Sequence, residues 1–335
     1  MISNRICFVL SMFLMMTSCL KRIDGPLDPE ISPYIKIEIN LDQPNEYRNK
    51  VYYDLESKSI VKTSNSLDWH IAFSTTSSDK LKVIMNYAMG ITCNGFTKND
   101  TLWSRTMTED DFLNNRLYYA NHYDSLANLF ASNFSNGVSN QWIYYLQFGK
   151  YLSYKKVQIL QATNAAVSLR YANLDGSDER TVTIPVRPNT NYTYFSLKDH
   201  VEKDIEPAGK MTWDLEFTHY TTLVTEFNDT RMYGVTGVLT NPAKALGVSI
   251  IDQFKLEDIK SSNLANGTYG YAIGQIGYNW KKFSSSTPDG FYTIPTKSYI
   301  IYNQSKYFGI QFIEFSKIIN NVQVKGYPTF LQRDF

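Results

Sequence analysis

Cysteine is scarce in this sequence, which contains three cysteines in 335 residues. Cys7 and Cys19 lie among the first nineteen residues, so Cys93 is the one cysteine of residues 20–335. A disulfide framework and a cysteine-rich metal site are therefore excluded for that part of the chain. Its stability has to come from the burial of apolar side chains.

An excess of charge of either sign is also absent. The chain carries 33 Lys and Arg against 32 Asp and Glu, a formal net charge of +1. This balance gives no sign of a nucleic-acid-binding surface or of a polybasic membrane-binding patch. No apolar run of about 18 residues follows the N-terminal segment, so we expect no membrane-spanning helix.

The common enzyme motifs are missing as well. The sequence has no G-x-S-x-G nucleophile turn, no H-E-x-x-H zinc motif and no glycine-rich phosphate loop. The four histidines are scattered, which gives no support for a zinc site. We therefore expect a protein that is not an enzyme. A hydrolase whose carboxylates are distant in sequence remains the open alternative.

The N-terminus does carry a specific signal. Residues 1–19 combine Arg5, an apolar segment from Ile6 to Met16 and small residues before Cys19. The segment is too short to span a bilayer and is typical of a secretory signal. Its end resembles a bacterial lipobox, with Met16 in place of the commoner leucine, which implies that Cys19 is lipidated. An ordinary signal peptide with a chance cysteine is the alternative.

Residues 20–33 follow this signal and contain three prolines and little apolar material. Such a composition predicts a tether that holds a domain away from a membrane. We therefore expect a lipid-anchored protein, and its resemblance to bacterial lipoproteins implies the outer membrane. Its side, the cell surface or the periplasmic face, is left open, because Lys21 and Arg22 replace the acidic cluster typical of surface export in some Bacteroidetes lipoproteins.

The composition favours β-structure. Tyr occurs 25 times and Phe 19 times, and aromatic and β-branched residues fit the pleated surface of a sheet. Turn dipeptides such as Asp175-Gly176 separate the strand-like segments. Apolar and polar residues alternate at strand spacing in four of these segments, which are 156–160, 166–171, 181–184 and 309–312. The sequence thus predicts an all-β fold.

One or two inserted helices are expected among the strands. Residues Glu109 to Phe134 show apolar side chains at three-to-four spacing, with Thr108 as a cap and acidic residues in the first turn. The carboxylates of this turn, Glu109 among them, match the helix dipole better than a glycosidase pair. Ile251 to Ser261 is a shorter second candidate.

An internal repeat divides the sequence. The Tyr52-Tyr53 segment followed by Trp69 resembles the Tyr194-Phe195 segment followed by Trp213, about 140 residues later. A third match, in the same order, joins 154–159 to 307–312. Two antiparallel β-repeats are therefore predicted, at 34–190 and 191–335. Chance similarity among β-strands is the alternative.

The same segments resemble a known family. The Tyr-Tyr/Phe strand followed by Trp-Asp-Leu-x-Phe at 213–217, and the Gly326-Tyr327-Pro328-Thr329-Phe330 ending, are similar to the HmuY family of Bacteroidetes lipoproteins. The resemblance is clearest over 192–335, and His70 departs from the pattern in the first repeat. It implies an all-β, membrane-anchored lipoprotein that captures heme and passes it to a TonB-dependent outer-membrane receptor.

The sequence does not offer clear counterparts of the heme ligands that the family resemblance implies. The segment 281–287, where a ligand is expected, contains neither His nor Met. Two candidates remain, His219 and Met232. His219 has the parity of Leu215 and Phe217 on a strand, although a hydrogen-bonded core histidine has the same pattern. Met232 precedes a glycine-containing turn, although core methionines are common.

Two functional hypotheses lead. The first is a HmuY-like lipoprotein that binds a ligand, with heme as the leading candidate. The second is a non-heme surface or assembly protein that recognises a glycan or a protein, which the missing ligands and the many aromatic residues favour.

Overall fold

A computed structural model describes most of the chain after its N-terminal segment. Residues 34–335 form one compact unit. The structure describes residues 33–41, 47–75, 81–89, 102–114, 134–135, 138–139, 141–149, 152–225, 231–265, 267–287 and 290–335.

The described residues are mostly in β-strands, which confirms the predicted all-β class. In chain order the strands are β1 (Ile35–Glu38), β2 (Asn49–Asp54), β3 (Ser59–Asn65), β4 (Ile71–Thr75), β5 (Leu81–Met85), β6 (Phe134–Ser135), β7 (Val138–Ser139), β8 (Ile143–Phe148), β9 (Leu152–Ala162), β10 (Ala166–Asn173), β11 (Arg180–Pro185), β12 (Thr193–Ser196), β13 (Val201–Lys203), β14 (Leu215–Val224), β15 (Arg231–Thr240), β16 (Gly247–Ile251), β17 (Lys281–Phe283), β18 (Phe291–Thr293), β19 (Ser298–Asn303), β20 (Lys306–Ile319) and β21 (Val322–Asp334).

The strands form several antiparallel sheets. A five-stranded sheet has the order β1-β21-β20-β19-β16. Three four-stranded sheets have the orders β11-β10-β9-β8, β13-β12-β4-β5 and β15-β14-β2-β3. Two short hairpins, β6-β7 and β17-β18, complete the described pairings. The β17-β18 hairpin is held to β20 by a hydrogen bond of 3.0 Å from the Thr293 hydroxyl to the Ile313 carbonyl.

The alternation of apolar residues produces the strands that the sequence predicts. In β10, Val167, Leu169 and Tyr171 are all buried on one face, because residues two apart on a strand share a face. The alternating segments at 156–160, 181–184 and 309–312 lie in β9, β11 and β20. Gly176 has a φ of +88° in the turn between β10 and β11, which a side chain would strain.

Three of the sheets combine strands from both halves of the sequence, and in the five-stranded sheet β1 pairs with β21. β2 pairs with β14, so that Tyr52 lies opposite Glu216, and β4 pairs with β12. The boundary between the predicted repeats, 34–190 and 191–335, falls between β11 and β12. Strands on either side of it therefore share hydrogen bonds, and the duplication itself stays a prediction.

The first helix candidate is described in part. Helix α1 covers Glu109–Asn114, and its backbone begins as predicted: the Asp111 amide donates to the Thr108 hydroxyl at 3.1 Å. Residues 115–133 lie outside the described part of the chain. The predicted end at Phe134 is wrong, because Phe134–Ser135 is strand β6.

The second helix candidate, Ile251 to Ser261, is wrong. Ile251 ends β16, and two short 3₁₀ turns follow at Leu256–Asp258 and Ser261–Asn263. Leu256 and Ile259 are the buried residues of this segment, and their spacing of three matches one 3₁₀ turn. A single buried turn offers too little apolar surface to stabilise a longer helix.

Two large clusters of buried side chains form the core. One lies around β4, β5, β8, β9 and β10, and the other around β2, β14, β19, β20 and β21. In the second cluster the ring of Trp280 stacks on Phe312, with centroids 4.2 Å apart. No helix among the described residues is both long enough and apolar enough to cross a membrane.

Candidate functional site

His219, one of the two predicted ligand residues, lies on β14 opposite Thr236 of β15. The sequence predicts that it shares the face of Leu215 and Phe217, which are fully buried. His219 itself is half-buried, because it lies where the core opens into a cleft. This imidazole therefore lies at the rim of the core.

The imidazole of His219 is held in one orientation. Its Nδ1 lies 3.3 Å from the carbonyl oxygen of Ala88, so Nδ1–H donates and Nε2 carries no proton. Burial lowers the pKa of His219 below its usual value, the hydrogen bond to Ala88 raises it, and the charge of Lys281 lowers it further. The ring is therefore neutral at physiological pH.

Two neighbours confine the ring of His219. Tyr47 stacks on it, with centroids 5.8 Å apart and planes inclined by 20°. On the other strand, a Cβ atom at Gly234 would lie only 2.7 Å from Nε2 and 3.0 Å from Cε1. The Nε2 edge of the imidazole thus faces the backbone of Gly234, and only glycine leaves room for it.

His219 lines a cleft of about 300 Å³, which we call the His219 cleft. Its walls come from β14, β15, the β17-β18 hairpin, β20 and β21, together with residues that precede β2 and β17. Six of the lining side chains are aromatic, and they are Tyr47, Tyr233, Tyr278, Phe283, Phe291 and Phe315.

The aromatic walls are built by strand register. Phe283 and Phe291 lie directly opposite each other in the β17-β18 hairpin, with ring centroids 5.8 Å apart. Phe291 meets Phe315 of β20 edge to face at 5.5 Å, and Phe315 stacks on Tyr47 at 6.4 Å. The rings therefore form a continuous wall that ends at the imidazole of His219.

Two lysines complete the lining. The ammonium group of Lys281 donates to the carbonyl of Thr236 and lies 4.2 Å from the ring centroid of Trp280. The ammonium group of Lys325 lies 5.1 Å from the ring centroid of Phe291. The cleft thus combines flat apolar surfaces with positive charge.

Met232, the second predicted ligand residue, lies on β15 opposite Leu223. His219 lies opposite Thr236, so four residues of β15, about 13 Å, separate Met232 from the partner of His219. The structure does not bring the two backbones together. Cys19, the predicted lipidation site, lies outside the described residues.

The cleft does not fit a heme held by paired axial ligands. Such a heme needs a ligand on each side of the iron. The Nε2 edge of His219 faces Gly234, and the described lining contains no second His and no Met or Cys. A group of three or more His, Cys, Asp or Glu able to hold a metal is also absent from the described residues.

The family resemblance implies a heme ligand near 281–287, but this segment contains neither His nor Met. Lys281 and Phe283 of this segment do line the cleft, as a cation and an aromatic wall. Neither side chain is a soft or imidazole ligand, so the expectation of a heme ligand does not identify them. Their signal is the Lys-Lys-Phe run at 281–283, and only the hairpin register shows that its Phe283 lies opposite Phe291.

A cluster of buried polar side chains, outside the His219 cleft, includes residues of β2 and β14. Lys50 is fully buried and lies 2.8 Å from Glu216, which also accepts a hydrogen bond of 2.6 Å from the Tyr87 hydroxyl. Glu206 accepts hydrogen bonds from the Asn191 and Tyr192 amides at 2.9 and 3.2 Å. Burial raises the pKa of Glu206 to about 7 despite these bonds.

We compared the chain with protein-family models, curated protein sequences and solved structures, and no match was found in any of the three comparisons.

Proposed function

We propose that this chain is a membrane-anchored lipoprotein that binds a small ligand, and that the His219 cleft is its binding site. The observation that carries this proposal is the aromatic lining of a cleft of about 300 Å³. Small-molecule sites are concave, mostly apolar and about 300 Å³ or larger, with a few polar groups that orient the ligand. Binding, without catalysis, is the role that we assign to the chain.

The anchor rests on the sequence. The signal that ends at Cys19 and the tether at 20–33 support attachment to the outer membrane by lipid, at the cell surface or the periplasmic face. HmuY-like membership and delivery to a TonB-dependent receptor are parts of the same proposal.

The ligand that the cleft supports best is not heme. An apolar ring system fits between the aromatic walls, whereas a second axial ligand for iron is lacking in the described lining. Heme stays the second candidate because His219 lines an aromatic cleft and is neutral, the form that binds iron, although its Nε2 faces Gly234. Recognition of a glycan is a third, since sugar rings stack on aromatic faces.

A fluorescence titration tests the proposed site. The chain from Leu20 to Phe335 is titrated with N-phenyl-1-naphthylamine, a neutral aromatic probe. Phe283 is 62% exposed and lines the cleft, so we expect Phe283→Ala to weaken binding about threefold to tenfold through the lost ring contact. Phe254, which is 54% exposed and lies outside the cleft lining, supplies the matched control Phe254→Ala.

The proposal fails if the wild-type chain does not bind the probe, or if Phe283→Ala and Phe254→Ala reduce the affinity for the probe equally. A parallel absorbance titration with hemin decides the second candidate. A saturable Soret shift that is lost in His219→Ala would establish heme capture. A titration without such a shift would exclude heme as the ligand.

A further inference from the structure

The charge of the His219 cleft has one sign. Lys281 and Lys325 both line it. Among the described residues that line the cleft, none is an aspartate or a glutamate. This imbalance contrasts with the whole chain, whose basic and acidic residues nearly cancel.

Lys281 places positive charge at the inner wall of the cleft. The residue is only 7% exposed, and its ammonium group lies 4.8 Å from the ring centroid of Phe315, next to the stacked rings of Tyr47 and His219. Because apolar rings surround it, its charge is screened far less than that of a surface lysine. The same charge also lowers the pKa of His219.

Lys325 places a second positive charge in the cleft. Its ammonium group lies over Phe291, whose ring meets Phe315 at 5.5 Å, so the two lysines stand over neighbouring rings. Lys325 is half-buried, and the hairpin turn comes close to it: a Cβ at Gly290 would lie 3.8 Å from its Nζ. The aromatic wall and the positive charges are therefore parts of one surface.

We propose that the His219 cleft is selective for aromatic anions, with the ring of the ligand against Phe283, Phe291 and Phe315 and its acidic group at Lys281 and Lys325. Carboxylate, sulfonate and phosphate share the chemistry that two ammonium groups recognise. This inference rests on the proposed function of the same cleft. It adds the charge of the ligand, which the aromatic lining alone does not specify.

Two probes that differ by one charged group test this selectivity. 8-Anilino-1-naphthalenesulfonate has the ring system of N-phenyl-1-naphthylamine with an added sulfonate. We expect Lys325→Gln to weaken sulfonate binding about threefold to tenfold and to leave the neutral probe unchanged. Raising the salt concentration should weaken only the sulfonate.

The matched control is Lys317→Gln. Lys317 lies on β20, pairs with Glu38 and covers the ring of Tyr327 at 4.0 Å, outside the lining of the cleft. Lys317→Gln removes one positive charge from the β20-β21 pair, which also carries Lys325. Because Lys317 lies outside the cleft, affinity for both probes should stay at the wild-type value. Lys281→Gln should act like Lys325→Gln; if this buried change prevents folding, the Lys325 variant decides alone.

The outcomes separate the two proposals. If Lys325→Gln leaves sulfonate binding unchanged, or weakens both probes equally, selectivity for anions is overturned while the cleft remains a binding site. If Phe283→Ala also leaves both probes unaffected, the proposed function fails with it. Selective loss of the sulfonate in the lysine variants, with the control unchanged, supports the inference.

Discussion

At the scale of single residues, the contact between Gly234 and His219 is the most sensitive point of the site. A methyl group at Gly234 would lie 2.7 Å from Nε2, inside van der Waals contact. Gly234→Ala should therefore push the imidazole off its hydrogen bond to Ala88 and reduce the free energy of unfolding by about 1–3 kcal/mol. Denaturant unfolding measures this loss.

The double variant His219→Ala, Gly234→Ala is the control, since removing the ring removes the clash. We expect the cost of Gly234→Ala to fall by about 0.5–3 kcal/mol in the His219→Ala background. An unchanged cost would mean that the ring is not what requires glycine.

Glu206 predicts a pH dependence of stability. Its pKa rises from about 4.5 when unfolded to about 7 when folded, chiefly through burial. Between these values the folded state binds more protons than the unfolded state, so stability falls as pH rises. The contribution is about 2–3 kcal/mol between pH 4.5 and 7.5. Glu206→Gln should remove this part of the slope, measured by urea unfolding across the range; an unchanged slope would contradict the assignment.

At the scale of elements, a buried ion pair joins strands from the two halves of the sequence. Lys50 of β2 and Glu216 of β14 lie 2.8 Å apart, both inaccessible to solvent or nearly so. Lys50→Met should cost about 3–5 kcal/mol, because it leaves a buried carboxylate without its cation. Chemical denaturation checks this value.

The exposed pair of Lys36 and Glu314, 3.6 Å apart, provides the comparison. Lys36→Met should change stability by less than about 1 kcal/mol, since surface pairs are hydrated and screened. Equal effects of the two substitutions would contradict the role given to burial.

The sequence pattern predicts some elements of the fold correctly and others wrongly. Alternation located β9, β10, β11 and β20, because each buries one face and repeats every two residues. The segment Ile251 to Ser261 misled the helix prediction, because its charged and apolar residues imitate a helical face while only one turn is buried. The local sequence pattern does not show how much of a segment is buried against the rest of the fold.

The cleft is less predictable than the strands. Strand parity predicts His219. Tyr47, however, lies more than 200 residues before Phe283 and Phe315 in the sequence, although all three line the cleft. They meet because β14, the β17-β18 hairpin and β20 pack together, and this tertiary arrangement leaves no spacing motif in the sequence.

At the scale of the whole molecule, the first and last strands of the described fold are paired. β1 lies against β21, with Ile35 opposite Gln332. In the sequence, the segment 20–33, for which a tether is predicted, comes directly before this paired strand.

The proposed lipid anchor can be tested at this scale. Cys19→Ser should shift the expressed protein from the membrane fraction to the soluble fraction and abolish labelling with a radioactive fatty acid. Replacing Ser18 by Thr, which leaves the cysteine in place, is the control. Retention of label or membrane association in Cys19→Ser would contradict lipidation at Cys19.

Binding of a small aromatic ligand in the His219 cleft can be seen directly in a crystal structure of residues 20–335 with 8-anilino-1-naphthalenesulfonate. We expect the ring system against Phe283, Phe291 and Phe315, with the sulfonate at Lys281 and Lys325. Ordered probe at another surface, with the His219 cleft empty, would contradict it.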